Sequence, residues 1–390
     1  SGFTRFRDTS SSSICLYVTQ YRLSLIYIMP HSSLLRGQFN PSTSTSSSNI
    51  IRRRQQRQRR RRLSSSSSIK LECKISLGEI KFHTFRGHKV AYRETSSSNN
   101  NNSKTTGPCV LLIHGFGVSG YQYRDIDLTS IAKKTFAIDL IGFGKSDKPD
   151  SVDFSMEFWR EQIIDFIKEV IQEPACLVGN SIGSLAAVHV ASSEPELVRG
   201  VCLINCAGGM NNKVKQMPGD FDDFPIQYKL VGPIFKVVLA IIDTVLKIEP
   251  VATKIFNNVR SEENVRNALK NVYKTQNRVD ELLVKSICDA AKEDGALKCF
   301  VNILTGDPGP RPEELMNNVE CPMLIIWGTE DGITPLDFPL GRYFENLPKT
   351  RTNTRKTSFI KLDGQGHCVQ DDSPELMNEL LVKWIAEDGL

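Results

Sequence analysis

The five residues Gly179-Asn180-Ser181-Ile182-Gly183 constrain this chain more than any other part of it. They read G-x-S-x-G and fall between a short apolar run, 176–178, and a stretch of helical period, 182–192. A serine raised on so sharp a strand-to-helix turn sits in strained backbone, and bulky residues two positions away would collide with the turn, so glycines bracket it. A plain glycine-bracketed turn is the other reading of the five residues, but it requires no strand and helix on its flanks. The motif therefore predicts a nucleophile, Ser181, at the carboxyl end of a strand.

Outward from that turn, the apolar runs 110–113, 136–141 and 201–204 are short and continuous, as strands covered on both faces are. Residues 156–171 carry helical periodicity. The runs 80–85 and 90–94, joined at Arg86-Gly87, predict an opening hairpin, and the polar tract 96–106 predicts a solvated loop. From 208 to about 316 the alternation stops and the chain is helical with little strand character. Strand signals return at 323–327 and 359–362, and a closing helix starts at Pro374, with Asp372 and Glu375 in capping-box spacing. The expected fold is α/β: residues 73–207 and 317–390 build a mostly parallel central sheet, and 208–316 form an inserted helical cap over the end where such sheets bind ligands. A chain of 390 residues, 40% hydrophobic and 24% charged, is long enough for one such core plus the insertion.

Charge is divided unevenly. Residues 1–72 hold 13 Lys and Arg against Asp8 and Glu72, a local +11 in a chain whose net charge is +5, so the remainder carries −6. An acidic folded part argues against a nucleic-acid partner. The serine- and arginine-rich leader, with the tract 52–62, has the composition of an organellar transit peptide and fits a chloroplast address; a nucleic-acid or nuclear signal is the competing reading of the basic tract. The chain opens Ser1-Gly2 and its first methionine is Met29, so residues 1–28 are expected to precede the true start, and cleavage is expected near Cys73. The apolar stretch 14–28, broken by Gln20 and Arg22, reads as neither a signal nor a span. The ten cysteines form no CxxC pair and no metal-ligand spacing, so reduced, buried thiols are expected, with no metal.

A serine hydroxyl needs a base to take its proton. Of six histidines, His31 lies in the leader, His83 and His88 flank the hairpin, His189 is expected to pack within the helix after Ser181, and His114 to shape the loop at Gly115. His367 follows the last strand, on a glycine-containing loop at the correct sheet edge, and is the expected base. Asp331, just past the strand ending at Trp327, is the expected acid that orients the imidazole, with Glu330 and Asp363 as competitors. The strand before it ends at Asn205, which is no acid. The order Ser181, Asp331, His367 is the one an α/β-hydrolase fold uses. The backbone N–H groups of Phe116 and Ile182 are the expected donors to the oxyanion. No cofactor is called for: Gly142-Phe143-Gly144 lacks a complete dinucleotide fingerprint and reads as a turn. The run 228–248 is largely apolar, but Pro233, Lys236 and Asp243 oppose a span. It reads either as a buried cap helix or as a channel wall that also touches a bilayer surface, and both favour a hydrophobic substrate.

From about Lys81 onward the chain resembles the plant chlorophyll dephytylase and pheophytinase group of α/β-hydrolases. The likeness rests on His114-Gly115-Phe116-Gly117-Val118, Gly142-Phe143-Gly144-Lys145-Ser146-Asp147 and Gly179-Asn180-Ser181-Ile182-Gly183-Ser184, and extends to the tracts 205–212, 304–310 and 366–375. The tracts 205–212 and 304–310, beside or within the cap, are the more specific. Ser184 and His114 depart from the pheophytinase pattern and favour the dephytylase side. The resemblance implies hydrolysis of the phytyl ester of a chlorophyll-type pigment in the chloroplast, with any magnesium belonging to the substrate; in that setting the bilayer surface that the run 228–248 would touch is the thylakoid, a peripheral contact. A carboxylesterase or lipase acting on another plastid lipid ester is the alternative within enzymes, and a ligand receptor that retains the fold is the alternative outside them.

Overall fold

The computed structural model describes residues 78–96, 107–211, 213, 240–351 and 356–390. The leader, the region around Cys73, most of the polar tract 96–106 and the part of the apolar run from 228 to 239 lie outside the described residues.

Among the described residues, eight strands form one sheet in the order β1-β2-β4-β3-β5-β6-β7-β8. β1 (Ile80–Phe85) and β2 (His88–Ser96) are an antiparallel hairpin, and β2 also runs antiparallel to β4 (Lys134–Ile138). The other pairings, through β3 (Cys109–Ile113), β5 (Ala175–Asn180), β6 (Val198–Ile204), β7 (Met323–Gly328) and β8 (Thr357–Leu362), are parallel. Parallel strands need crossovers, which place helices on both faces. β3, β5 and β7 are accordingly buried at every residue, which is why they read as continuous apolar runs. Arg86 and Gly87, both at positive φ, turn the hairpin where expected.

Helix α1 (Met156–Phe166) starts on Ser155, whose hydroxyl accepts from the Phe158 N–H, and buries Met156, Phe158, Trp159, Gln162, Ile163 and Phe166 against the sheet. A π turn, Ile167–Ile171, completes the predicted stretch. Helix α2 (Ile182–Ser193) follows β5 and is buried along nearly its whole length. Between β6 and β7 the described chain is helical: 240–246, α3 (Glu249–Val259), α4 (Glu262–Val272), α5 (Glu281–Ala290) and α6 (Ala296–Thr305), with a short turn at Pro312–Leu315. Helix α7 (Pro339–Thr350) bridges β7 and β8, and α8 (Pro374–Glu387) closes the chain. No described helix is long and apolar enough to cross a membrane.

Two local expectations are corrected, and one helix was not anticipated. The strand expected to 141 ends at Ile138: the Leu140 N–H donates to His114 Nε2 and the Ile141 N–H to Gln162 Oε1, so these apolar residues are buried in a loop held by side chains. α8 does not start on an Asp372–Glu375 capping box. Its N-cap is Ser373, and the Asp372 carboxylate accepts instead from the N–H groups of Lys274 and Thr275. α7 carries no sequence signal that singled it out, with prolines at 339 and 348.

Candidate active site

Ser181 sits between the end of β5 and the start of α2 with φ 55° and ψ −119°. A non-glycine residue holds such a conformation only where its surroundings impose it. Here the Ser181 N–H donates to Ile204 O at 3.0 Å, and its carbonyl accepts from Leu185 and Ala207 N–H, both at 3.2 Å. The turn packs too tightly for side chains on its flanks. A Cβ at Gly183 would lie 2.2 Å from Ile113 O, and one at Gly179 would lie 2.4 Å from the Gly183 carbonyl. Ser184 fastens the turn further, donating to Gly179 O at 2.7 Å and accepting from the Ile204 N–H at 3.0 Å.

Asp331 and His367 are brought together from beyond the ends of β7 and β8, with His367 Nδ1 2.7 Å from Asp331 Oδ2. The carboxylate also accepts from Thr334 Oγ1 at 2.6 Å, from the N–H groups of Ile333 at 2.6 Å and Thr334 at 3.0 Å, and from Asn205 Nδ2. Burial by itself would raise this carboxyl, but His367, then Asn205 and Thr334, hold it down at about 2. An ionised Asp331 can only accept, so the imidazole proton belongs on Nδ1 and Nε2 is left as the acceptor. The His367 backbone is fixed as well: its N–H donates to Val272 O at 3.0 Å, and its carbonyl accepts from Asn180 Nδ2 at 2.9 Å. No hydrogen bond joins Ser181 Oγ to His367 among the described residues; such contacts are often long without substrate and tighten along the reaction path.

The competing residues fall elsewhere. Glu330 is exposed and paired with Lys274 at 3.1 Å, and Asp363 is exposed. His114 is buried, bonded through Nδ1 to Gly115 O at 2.7 Å and through Nε2 to the Leu140 N–H at 3.0 Å, and burial lowers its pKa. It shapes the loop after β3. His189 is packed within α2, and His83 in β1 pairs with Asp165 on α1 at 2.6 Å.

Phe116 follows Gly115, at which a Cβ would come within 3.4 Å of Ser181 Cβ, so this loop lies against the serine. Neither the Phe116 nor the Ile182 N–H donates to an acceptor among the described residues. Ser181, His367, Phe116 and Ile182 line one cavity of about 710 Å³. The segment between β6 and β7 gives it much apolar lining, including Phe256, Val259, Leu269, Ile287, Phe300 and Ile303, along with the polar Arg260, Lys270, Asn271 and Lys274.

Sequence reasoning missed the second ring of the site. Asn205, set aside as no acid, has φ 47°, donates to Asp331 and accepts from the Gly328 N–H at 3.2 Å. The end of β6 therefore supports the acid presented from β7. Its only available signal was a polar residue ending an apolar strand. Among the described residues no group of three or more His, Cys, Asp and Glu side chains is arranged to hold a metal.

Residues 110–380 match the model of the alpha/beta hydrolase family. The chain is 25% identical to the chloroplastic pheophytinase of Arabidopsis thaliana over 321 residues, covering 71% of this chain and 61% of that protein, so it spans about three fifths of that relative's length. It is 26% identical to a 2-hydroxy-6-oxononadienedioate/2-hydroxy-6-oxononatrienedioate hydrolase of Paraburkholderia phymatum over 286 residues, covering 71% of this chain and 87% of that one. A bacterial membrane phospholipase A has a similar fold, with a TM-score of 0.58 at 20% identity over 80% of this chain and 87% of that one.

Proposed function

The chain belongs to the alpha/beta hydrolase family, and we propose that it is a serine carboxylic ester hydrolase that releases phytol from chlorophyll-type pigments in the plastid. The observation that carries this reading is the single cavity in which Ser181 and the Asp331-held His367 face an apolar wall built by the insertion. A cavity of that size and lining encloses a hydrophobic group and presents a few polar groups at one end.

In this mechanism His367 Nε2 takes the proton of Ser181 Oγ as the oxygen attacks the ester carbonyl. Asp331 keeps the ring in the required tautomer and stabilises the imidazolium that forms. The Phe116 and Ile182 N–H groups, free of other acceptors among the described residues, donate to the oxyanion, a donor of this kind being worth about 3 kcal/mol in the barrier. The imidazolium then protonates the departing alkoxide, phytol leaves, and water activated by the same nitrogen frees the pigment acid from the acyl-enzyme. Any magnesium travels with the pigment.

The similarity to a chloroplastic pheophytinase supports the pigment and the plastid, and the serine- and arginine-rich leader supports the plastid. Peripheral contact with the thylakoid surface belongs to the same proposal and is supported by Ile241 and Ile248, half or more exposed on the described end of the apolar run. The test is to incubate the full chain with chlorophyll, pheophytin and p-nitrophenyl esters beside Ser181→Ala. Phytol release that vanishes in the variant is the expected result. Turnover of the p-nitrophenyl esters without phytol release from either pigment would leave a general carboxylesterase or lipase in place of the dephytylase.

A further inference from the structure

Beyond the catalytic constellation lies a buried charged cluster that joins three distant parts of the chain. Arg124, 1% exposed, donates from Nε to Asp371 Oδ1 at 3.0 Å, from one terminal nitrogen to Asp280 and from the other to Arg278 O at 2.9 Å. Asp371, also 1% exposed, accepts from Arg278 at 2.5 Å on the same oxygen and from Tyr273 Oη at 2.8 Å on the other. The Asp371 carbonyl takes a further bond from Arg278 Nε at 2.6 Å, and Arg278 reaches Asp125 at 2.5 Å. Asp372 accepts from the Lys274 and Thr275 N–H groups at 2.8 and 2.7 Å. Two adjacent carboxylates just past His367 thus hold the segment 273–278, which leads out of α4.

That segment in turn holds the base. The His367 N–H donates to Val272 O, and Gly366 packs so closely that a Cβ there would lie 2.4 Å from the same carbonyl. Val272 is the last residue of α4, part of the insertion, and among the described residues no other backbone acceptor takes the His367 N–H. On the core side, Gln122 beside Arg124 donates to Cys368 Sγ at 3.1 Å and accepts from the Gly115 N–H at 3.4 Å, so the same short turn touches both the base loop and the oxyanion loop.

Resting on the serine-hydrolase reading above, we propose that Asp371 is a positioning residue for His367, acting through Tyr273 and Arg278 to fix the Val272 carbonyl that holds the base. The insertion then has two separable duties. Its apolar helices line the cavity, and its 272–278 segment sets the imidazole relative to Ser181. A displacement of about 1 Å at a catalytic group can cost on the order of a hundredfold in rate.

The two duties give different kinetics. A roof residue matters only for substrates long enough to touch it, whereas a residue that positions the base matters for every ester. The experiment compares p-nitrophenyl acetate with a long-chain p-nitrophenyl ester in the full chain, using Asp371→Asn, Tyr273→Phe and Ser181→Ala. Tyr273→Phe removes one hydroxyl and keeps the ring, so it reports even if Asp371→Asn does not fold. The expected result is a fall in kcat of roughly tenfold or more for both esters in Asp371→Asn, a smaller fall of the same pattern in Tyr273→Phe, and KM within about twofold of the parent. Wild-type kcat on the acetate ester, with KM raised only for the long-chain ester, would overturn the positioning role while leaving Ser181 as nucleophile. Ester turnover that survives Ser181→Ala would overturn the functional reading and the positioning proposal with it.

Discussion

The Ser181 side of the cavity and the insertion that also lines it are built by different means. Around Ser181 the geometry is set by backbone: strand ends, close-packed glycines and main-chain hydrogen bonds, with α2 buried along nearly its whole length. The insertion is a set of amphipathic helices with a small core of its own, Val265, Leu269, Tyr273, Val279, Leu283, Val284 and Cys288, to which Cys368 beside His367 contributes. Charged side chains tie it to the sheet: Arg278 and Asp280 to Arg124 and Asp371 on one side, Glu293 to Lys145 and Lys148 on the other. A backbone scaffold tolerates almost no substitution at its tight points, whereas helices joined by polar ties can change their apolar lining with little effect on the chemistry. Substitutions on the two sides should therefore fail differently.

The largest effect belongs to the backbone side. Ser181→Ala should lower ester turnover by at least about 10⁴-fold with the chain still folded, measured as steady-state rate beside circular dichroism. Unchanged turnover would remove the chemical distinction between the two regions. Gly183→Ala tests the scaffold itself. Its Cβ would sit 2.2 Å from the Ile113 carbonyl of the central strand β3, which has no room to yield. A cost of about 3 kcal/mol or more is expected, read as a drop of several degrees in thermal midpoint. A neutral result would show that the turn is looser than its packing implies.

This division also governs what could be read from the sequence. The motif 179–183 and the strand–helix alternation are local patterns, so the parallel sheet, the turn carrying Ser181 and the sites of Asp331 and His367 at strand ends were legible. The placement of His114 as a loop-shaping residue was legible too, because it adjoins Gly115 at a strand end. What was not legible depends on partners far apart in sequence. Nothing local distinguishes Arg124 and Asp371 from surface charges, and Asn205 as a support for Asp331 needs β6 and β7 to be known neighbours. The Asp372–Glu375 spacing misled for the same reason: the carboxylate that would cap a helix is taken by two N–H groups of a loop in the insertion.

Where the two regions meet, a buried histidine should make stability depend on pH. His189 lies on α2 and is bonded to the Pro310 carbonyl, in the stretch leading out of the insertion, while its Nε2 has no partner among the described residues. Burial, and then the nearby Arg160, push its pKa down to about 4. The unfolded chain takes up this proton near pH 6.5. Because the folded pKa is the lower one, the unfolded state binds more protons between the two values. The contribution is therefore complete above about pH 6.5 and is lost as pH falls towards 4, by up to about 3 kcal/mol. Denaturant unfolding between pH 4 and 7 should show a slope that flattens in His189→Gln. An identical slope in the variant would mean that the helix accommodates the charged ring.

The smallest effect is expected on the apolar side. Phe256 of α3 and Phe300 of α6 pack with ring centroids 5.0 Å apart and their planes tilted by 43°, and both line the cavity. Phe300 is only partly buried, so its truncation removes ligand contact more than it opens a void in the core. Phe300→Ala should raise KM for a long-chain p-nitrophenyl ester by roughly tenfold, in line with the 1–3 kcal/mol that apolar pocket contacts contribute, and leave kcat on p-nitrophenyl acetate within about twofold. The short ester has no tail to reach α6, so a matching loss there would mean that the ring supports the site rather than the substrate. In that case the line between a scaffold that sets the chemistry and helices that choose the ester would have to be redrawn through α6.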